Sequence, residues 1–166
     1  PDKKAVTELF HDRQQYLIPL FQRGYVWTLN EQVQPLWEDL IDRLEAIVQH
    51  QSDAEQVGSG KLKPLRRHFL GTVVIGALKG STSNTVGTRD VIDGQQRLTT
   101  FQILLAAFRD FAVANGNNKY ADDFHDVTEN KGTMENRDIE RFKVWPTHVD
   151  QPQFMTCLSS KSKEEV

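Results

Sequence analysis

The stretch Asp93-Gly94-Gln95-Gln96-Arg97-Leu98-Thr99-Thr100 constrains this chain more than any other. Thr88–Ile92 before it is short and β-branched and reads as a strand. After it, Leu98, Phe101, Leu104, Leu105, Phe108 and Phe111 recur at helical spacing and predict an amphipathic helix over Leu98–Ala114. Asn115-Gly116 supplies a C-cap pair. A polar cluster therefore sits where a strand passes directly into a helix. A glycine there lets the backbone turn sharply or approach a ligand closely. The first helical turn leaves N–H groups unpaired at the positive end of the dipole. Such a junction suits anions, and Arg97 adds a planar fork of donors that matches phosphate.

Around that junction the chain alternates helix and strand signals. Ala5–Arg13 carries Val6, Leu9 and Phe10 at helical spacing, and Tyr16–Ile18 suits a strand that Pro19 ends or confines to an edge. Gln22-Arg23-Gly24-Tyr25 is a loop. Thr28 with Glu31 fits a capping box. It opens a helix on Val33, Leu36, Trp37, Leu40, Ile41, Leu44, Ile47 and Val48 that reaches about His50, with Pro35 early enough only to kink it. Gln51–Pro64 reads as a surface loop, followed by basic Lys61, Lys63, Arg66 and Arg67 at its end. His68–Leu78 predicts a buried strand, with Thr88–Ile92 as its hairpin partner across the Gly80–Gly87 loop. Asn117–Arg137 is polar and reads as loop with one weak helix. Arg141–Trp145 predicts a last strand stopped by Pro146, and Asp150 a cap for a helix carrying Phe154, Met155 and Leu158. The charged ending Ser159–Val166 suggests that the natural chain continues beyond Val166.

Two readings of Asp93–Arg97 stay open on the residues alone. In one, Arg97 meets phosphate, Gln95 and Gln96 orient phosphate or water, and Asp93 holds a divalent cation or polarises a water. In the other, Asp93 caps the helix and the glutamines are solvated. Thr99 and Thr100 either reach the phosphate or act as local caps. Gln22 and Arg23 read as a second ligand-contact loop. Tyr25 or Trp27 would stack on a base or build an apolar pocket, although for Trp27 a place in the core with Val26 is the stronger expectation. The chain has neither a Walker A loop nor a dinucleotide-binding glycine fingerprint, and its five histidines show no metal-ligand spacing.

Composition narrows the class. A net charge of -3 argues against a basic body that binds polyanions through its whole surface. The lone Cys157 cannot form an internal disulfide, which suits a reducing cytoplasm. No apolar run approaches the roughly 18 residues of a spanning helix, so no membrane partner is expected.

Three ordered segments resemble a known family. They are Ile18-Pro19-Leu20-Phe21-Gln22-Arg23-Gly24-Tyr25-Val26-Trp27, Phe69-Leu70-Gly71-Thr72-Val73-Val74 and Val91-Ile92-Asp93-Gly94-Gln95-Gln96-Arg97-Leu98-Thr99-Thr100. Together they are similar to the successive signatures of GmrSD-type N-terminal domains. These are ParB/sulfiredoxin-like domains of bacterial modification-dependent restriction and phage-defence proteins, phosphorothioate-sensing ones among them. The resemblance implies a compact α/β (α+β) domain with a small mixed sheet flanked by helices, spanning 1–166 as one unit. It implies NTP (GTP among the candidates) binding and hydrolysis, with Asp93, Gln95, Gln96 and Arg97 catalytic and Mg²⁺ held by Asp93. Gln22, Arg23, Gly94, Arg97, Thr99 and Thr100 would bind the nucleotide. Tyr25 and Trp27 would line a pocket for modified DNA, phosphorothioated or glucosylated. It further implies a helical region and an HNH nuclease domain, in cis or in trans, that this chain regulates, since no HNH motif is visible here. The competing expectation is a non-catalytic module that binds modified DNA or docks a protein.

Overall fold

The computed structural model describes residues 2–57 and 64–159. They fall into two units: Pro1–Val26 with Thr72–Val166, and Trp27–Gly71. In chain order the elements are α1 (Val6–His11), β1 (Gln14–Leu17), a π-helical turn (Leu29–Val33), α2 (Gln34–Val57), β2 (Val74–Ile75), β3 (Gly87–Asp93), α3 (Gln95–Ala114), α4 (Asn118–Thr128), α5 (Arg137–Glu140), β4 (Val144–Trp145) and α6 (Gln151–Ser159). This is the mixed α/β class that the sequence predicts.

The first unit is built on a mixed four-stranded sheet of order β2-β3-β1-β4. β1 runs parallel to both β3 and β4, with Tyr16 opposite Arg89 on one side and Val144 on the other. β2 closes the edge antiparallel to β3, as the hairpin reading expected. Polar side chains staple the strands from within. Arg89 donates to the Gln14 side chain at 2.8 Å and to the Gly76 carbonyl at 3.0 Å. The Gln15 amide donates to the Ile139 and Phe142 carbonyls at 2.7 and 2.8 Å. Buried glutamines are ordinarily hydrogen-bonded, and these two bind strand and loop through their amides. The core gathers Phe10, Tyr16, Val91, Leu98, Phe101, Leu105, Val144, Phe154 and Leu158. Tyr16 stands edge-on to Phe10 and donates its hydroxyl to the Leu9 carbonyl at 2.7 Å. Burial pushes its phenol up to about 12.

Several boundaries differ from the sequence reading. The apolar run 68–78 forms only the two-residue β2, because it lies at the sheet edge with an irregular register, and Val74 is half-exposed. The polar stretch after Gly116 contains α4, an eleven-residue helix that packs Ala121 and Val127 inward under α3. Phe111, expected on the buried face of α3, is exposed, and Ala112 takes the buried position instead.

The second unit carries the long helix. Thr28 accepts a bond from the Glu31 amide at 3.3 Å, which is one half of the predicted capping box, while its own amide donates to the Gln32 side chain at 2.9 Å where Glu31 was expected. The first turn is then π-helical, with the Gln34 N–H donating to the Leu29 carbonyl, and Pro35 follows as the second residue of α2. α2 runs to Val57, which makes 51–57 helical where a loop was expected. Arg43 donates to the Arg66 carbonyl and Asp39 lies 3.7 Å from His68, so the segment after residue 63 returns beside the helix. Of the expected basic cluster, Arg66 and Arg67 are exposed, while Lys61 and Lys63 lie outside the described residues.

Candidate functional site

The parallel pairing of β1 with β3 and β4 decides where chemistry can gather. Parallel neighbours send their carboxyl ends the same way, and open α/β sheets bind ligands outside those ends. The segments after β1, β3 and β4 therefore meet: the loop 18–26, the turn at Gly94 and the stretch 146–150.

The turn is built on Gly94. It is the N-cap of α3, with φ of 92°, a left-handed angle that side-chain-bearing residues resist. A Cβ there would stand 3.1 Å from the Thr72 carbonyl oxygen and 3.1 Å from both Val73 Cα and Cγ2. Glycine is thus required twice over, by angle and by close approach. The helix starts at Gln95, three residues ahead of the expected Leu98, so Gln95, Gln96 and Arg97 make up its first turn. No side chain caps it. Asp93 ends β3 instead of capping the helix, which removes the plain-junction reading for that residue.

The two glutamines have opposite environments. Gln96 is buried, accepting from the Val26 amide at 2.8 Å and donating to the Gly24 carbonyl at 2.9 Å. It clamps the loop by its backbone and is not solvated. Gln95 is partly exposed and its side chain makes no hydrogen bond among the described residues. Thr99 and Thr100 are buried. Thr100 donates to the Gln96 carbonyl at 2.9 Å, so its oxygen receives the Tyr25 hydroxyl at 2.8 Å. Burial raises the Tyr25 phenol above its ordinary value.

Gln22 fixes the loop from its other side, donating to the Val91 and Ile92 carbonyls at 3.1 and 2.9 Å. These contacts leave the charged groups outermost. Arg23 and Asp93 are exposed and form no ion pair or side-chain hydrogen bond among the described residues. Arg97 is partly exposed and donates once, to the Thr72 carbonyl at 2.6 Å. Its fork retains further donors.

Two expected residues are not brought into the core. Val26 is half-exposed and Trp27 is partly exposed, with Trp27 opening the second unit. No group of three or more His, Cys, Asp or Glu side chains suited to a metal occurs among the described residues. Asp93 alone fits the chemistry of Mg²⁺ only in the mode where one or two carboxylates and substrate phosphates share the ion.

One residue at the site carried no sequence signal for its role. The Asp150 carboxylate accepts the Tyr25 amide at 2.9 Å and the Thr147 hydroxyl at 2.7 Å. Its sequence context marks only a helix start, because the partner lies 125 residues away in the chain.

No described helix is long and apolar enough to cross a membrane. A family model for the GmrSD restriction endonuclease N-terminal domain matches residues 6–166. No curated protein matches the chain.

Proposed function

This chain belongs to the family of GmrSD restriction endonuclease N-terminal domains, and from that premise we propose that the α3 junction binds and hydrolyses a nucleoside triphosphate. The domain would act as the sensing half of a modification-dependent restriction system. One observation carries the reading: Gln96 and Asp150 hold the Gly24–Val26 backbone and the Gln22 side chain is anchored to β3, while Arg23, Asp93 and Gln95 make no side-chain hydrogen bond among the described residues and Arg97 keeps donors beyond its one bond to Thr72. Two rigid walls edged with unspent charge are what phosphoryl transfer needs, since its catalysis is mostly positioning and electrostatic stabilisation.

In this mechanism the phosphates lie across the first turn of α3, meeting its free amides and Arg97. Arg23 closes from the opposite loop and stabilises charge on the transferred group. Gln95, whose amide is uncommitted, orients the attacking water. Gln96 does not share that task, because both ends of its amide already serve the loop. Mg²⁺, held by Asp93 together with the phosphates, would neutralise developing negative charge.

The test is phosphate release from ATP, GTP, CTP and UTP with Mg²⁺, with and without phosphorothioated or glucosylated duplex DNA. Arg97→Ala is expected to abolish release while the protein stays folded, because its one protein contact is a partly exposed bond worth about 1 kcal/mol. Normal turnover by that variant refutes the assignment.

A second reading, a docking module for a protein or modified DNA, draws on Leu20 and Phe21. Both side chains are more than four-fifths exposed beside the same loop. DNA retardation without phosphate release from any nucleotide would favour it.

A further inference from the structure

We propose that Asp150 is the positioning residue of this site: it fixes the conformation of Gly24-Tyr25 and thereby aims Arg23. The inference rests on the phosphate chemistry proposed above for that loop. Its starting point is a carboxylate that does not do the work its place in the chain suggests. Asp150 immediately precedes α6, where an aspartate ordinarily caps the helix through its side chain. Here the helix begins with backbone bonds alone, Phe154 N–H donating to the Asp150 carbonyl at 2.9 Å. The carboxylate instead turns to the loop. One oxygen takes the Tyr25 amide at 2.9 Å and the Thr147 hydroxyl at 2.7 Å.

Gly24 completes the fit. A Cβ at that position would stand 3.2 and 3.3 Å from the two Asp150 carboxylate oxygens. A side chain there would push the carboxylate back by a few tenths of an ångström. Asp150 itself is not free to drift, because its own amide donates to the Thr147 carbonyl at 2.9 Å and Thr147 is buried. The grip therefore runs from a fixed turn after β4 to the residue next to Arg23. Gln96 holds the neighbouring Gly24 carbonyl and Val26 amide. Among the described residues only Asp150 holds the Tyr25 amide between them. Hydrogen bonds to an ionised acceptor are shorter and stronger than neutral ones, which suits a contact that must define a backbone angle.

A residue that aims another acts on turnover more than on ground-state binding. Misplacement of a catalytic group by about 1 Å can cost about 100-fold in rate. Asp150→Ala in the full chain is expected to lower kcat about 10- to 100-fold while KM changes less than about threefold. Exchange of the Tyr25 backbone amide, followed by NMR, should quicken in the same variant. Asp150→Asn keeps an acceptor oxygen in place and is expected to recover most of both. Gly24→Ala pushes on the carboxylate from the loop side and should reproduce the defect. The two lesions break one contact, so the double variant should be no worse than the more severe single one.

Wild-type kcat in Asp150→Ala, or an additive double variant, overturns the proposal. Where Asp150→Ala fails to fold, Gly24→Ala decides: normal kcat with an unchanged Tyr25 amide refutes the positioning role. If the wild-type protein releases no phosphate from any nucleotide, the functional reading falls by itself. The Tyr25 amide then still reports whether Asp150 holds the loop.

Discussion

Replacing Gly94 with alanine separates two demands that one residue meets. The left-handed angle of 92° costs any side-chain-bearing residue about 1–3 kcal/mol. The added methyl would also stand 3.1 Å from three atoms of Thr72 and Val73, two of them backbone, which cannot rotate away. Forcing a methylene into such a contact adds about 1–3 kcal/mol. Lower entropy of the unfolded chain returns about 0.4–1 kcal/mol. The net expectation is a loss of about 1–6 kcal/mol, centred near 3.

Gly116→Ala provides the internal control, with a left-handed φ of 69° and nothing within 4 Å of the point where a Cβ would stand. It should lose only the angular part, about 1–2 kcal/mol after the unfolded-state offset. Urea unfolding followed by far-ultraviolet circular dichroism measures both. The two variants should share the wild-type m value and differ in midpoint. In thermal scans the gap corresponds to about 2–4 °C for each kcal/mol in a chain of this size. Equal losses at Gly94 and Gly116 would mean that the approach of Thr72 and Val73 does not shape the turn, and would refute a junction built on close packing.

The adjacent glutamines should part company on mutation. Gln96→Ala leaves the Val26 amide and Gly24 carbonyl without partners and should cost about 1–3 kcal/mol, whereas Gln95→Ala should stay within about 0.5 kcal/mol of wild type yet slow phosphate release; a destabilised Gln95→Ala would refute the division. Lys143 is buried, donates to the Asp12 carbonyl at 2.8 Å, and desolvation lowers its ammonium to about 8. The unfolded chain then holds more protons than the folded one between about pH 8 and the ordinary lysine value near 10.4. Stability contributed by this group therefore rises with pH across that window, while Tyr16, raised to about 12, works in the opposite direction above pH 10. Urea midpoints of wild type and Lys143→Met at pH 7 and 9.5 check the sign: the rise should be absent from the variant.

Where one element's own residues determined the outcome, the sequence was a sufficient guide. The apolar spacing of α3, the Thr28 cap and the β2–β3 hairpin all follow from local chemistry. The misreadings have a shared cause. Residues 68–78 look like a buried strand because they are β-branched, but how much of them pairs depends on their standing at the sheet edge. α4, expected only as a weak helix, stands in a polar stretch because it buries one narrow face, and its length is fixed only once α3 lies beside it. Asp150 and Thr72 meet the site through contacts of long sequence separation, which no window along the chain contains.

The stretch Asp93–Thr100 itself divides into two sets of residues. Gly94, Gln96 and Thr100 are consumed by construction: one makes the turn, the others hold the Gly24–Val26 backbone and the Tyr25 hydroxyl. Asp93, Gln95 and Arg97 alternate with them and keep polar groups uncommitted. Successive residues of a helix point about 100° apart, so neighbours in a first turn cannot all face one direction. A contiguous motif at such a junction must therefore mix residues that build the site with residues that use it. Polar residue type alone does not tell them apart, because glutamine serves both purposes here at adjacent positions. What separates the two glutamines is that the Gln96 amide meets the Gly24 and Val26 backbone of another loop, and that meeting is set by the parallel strands which bring the segments together.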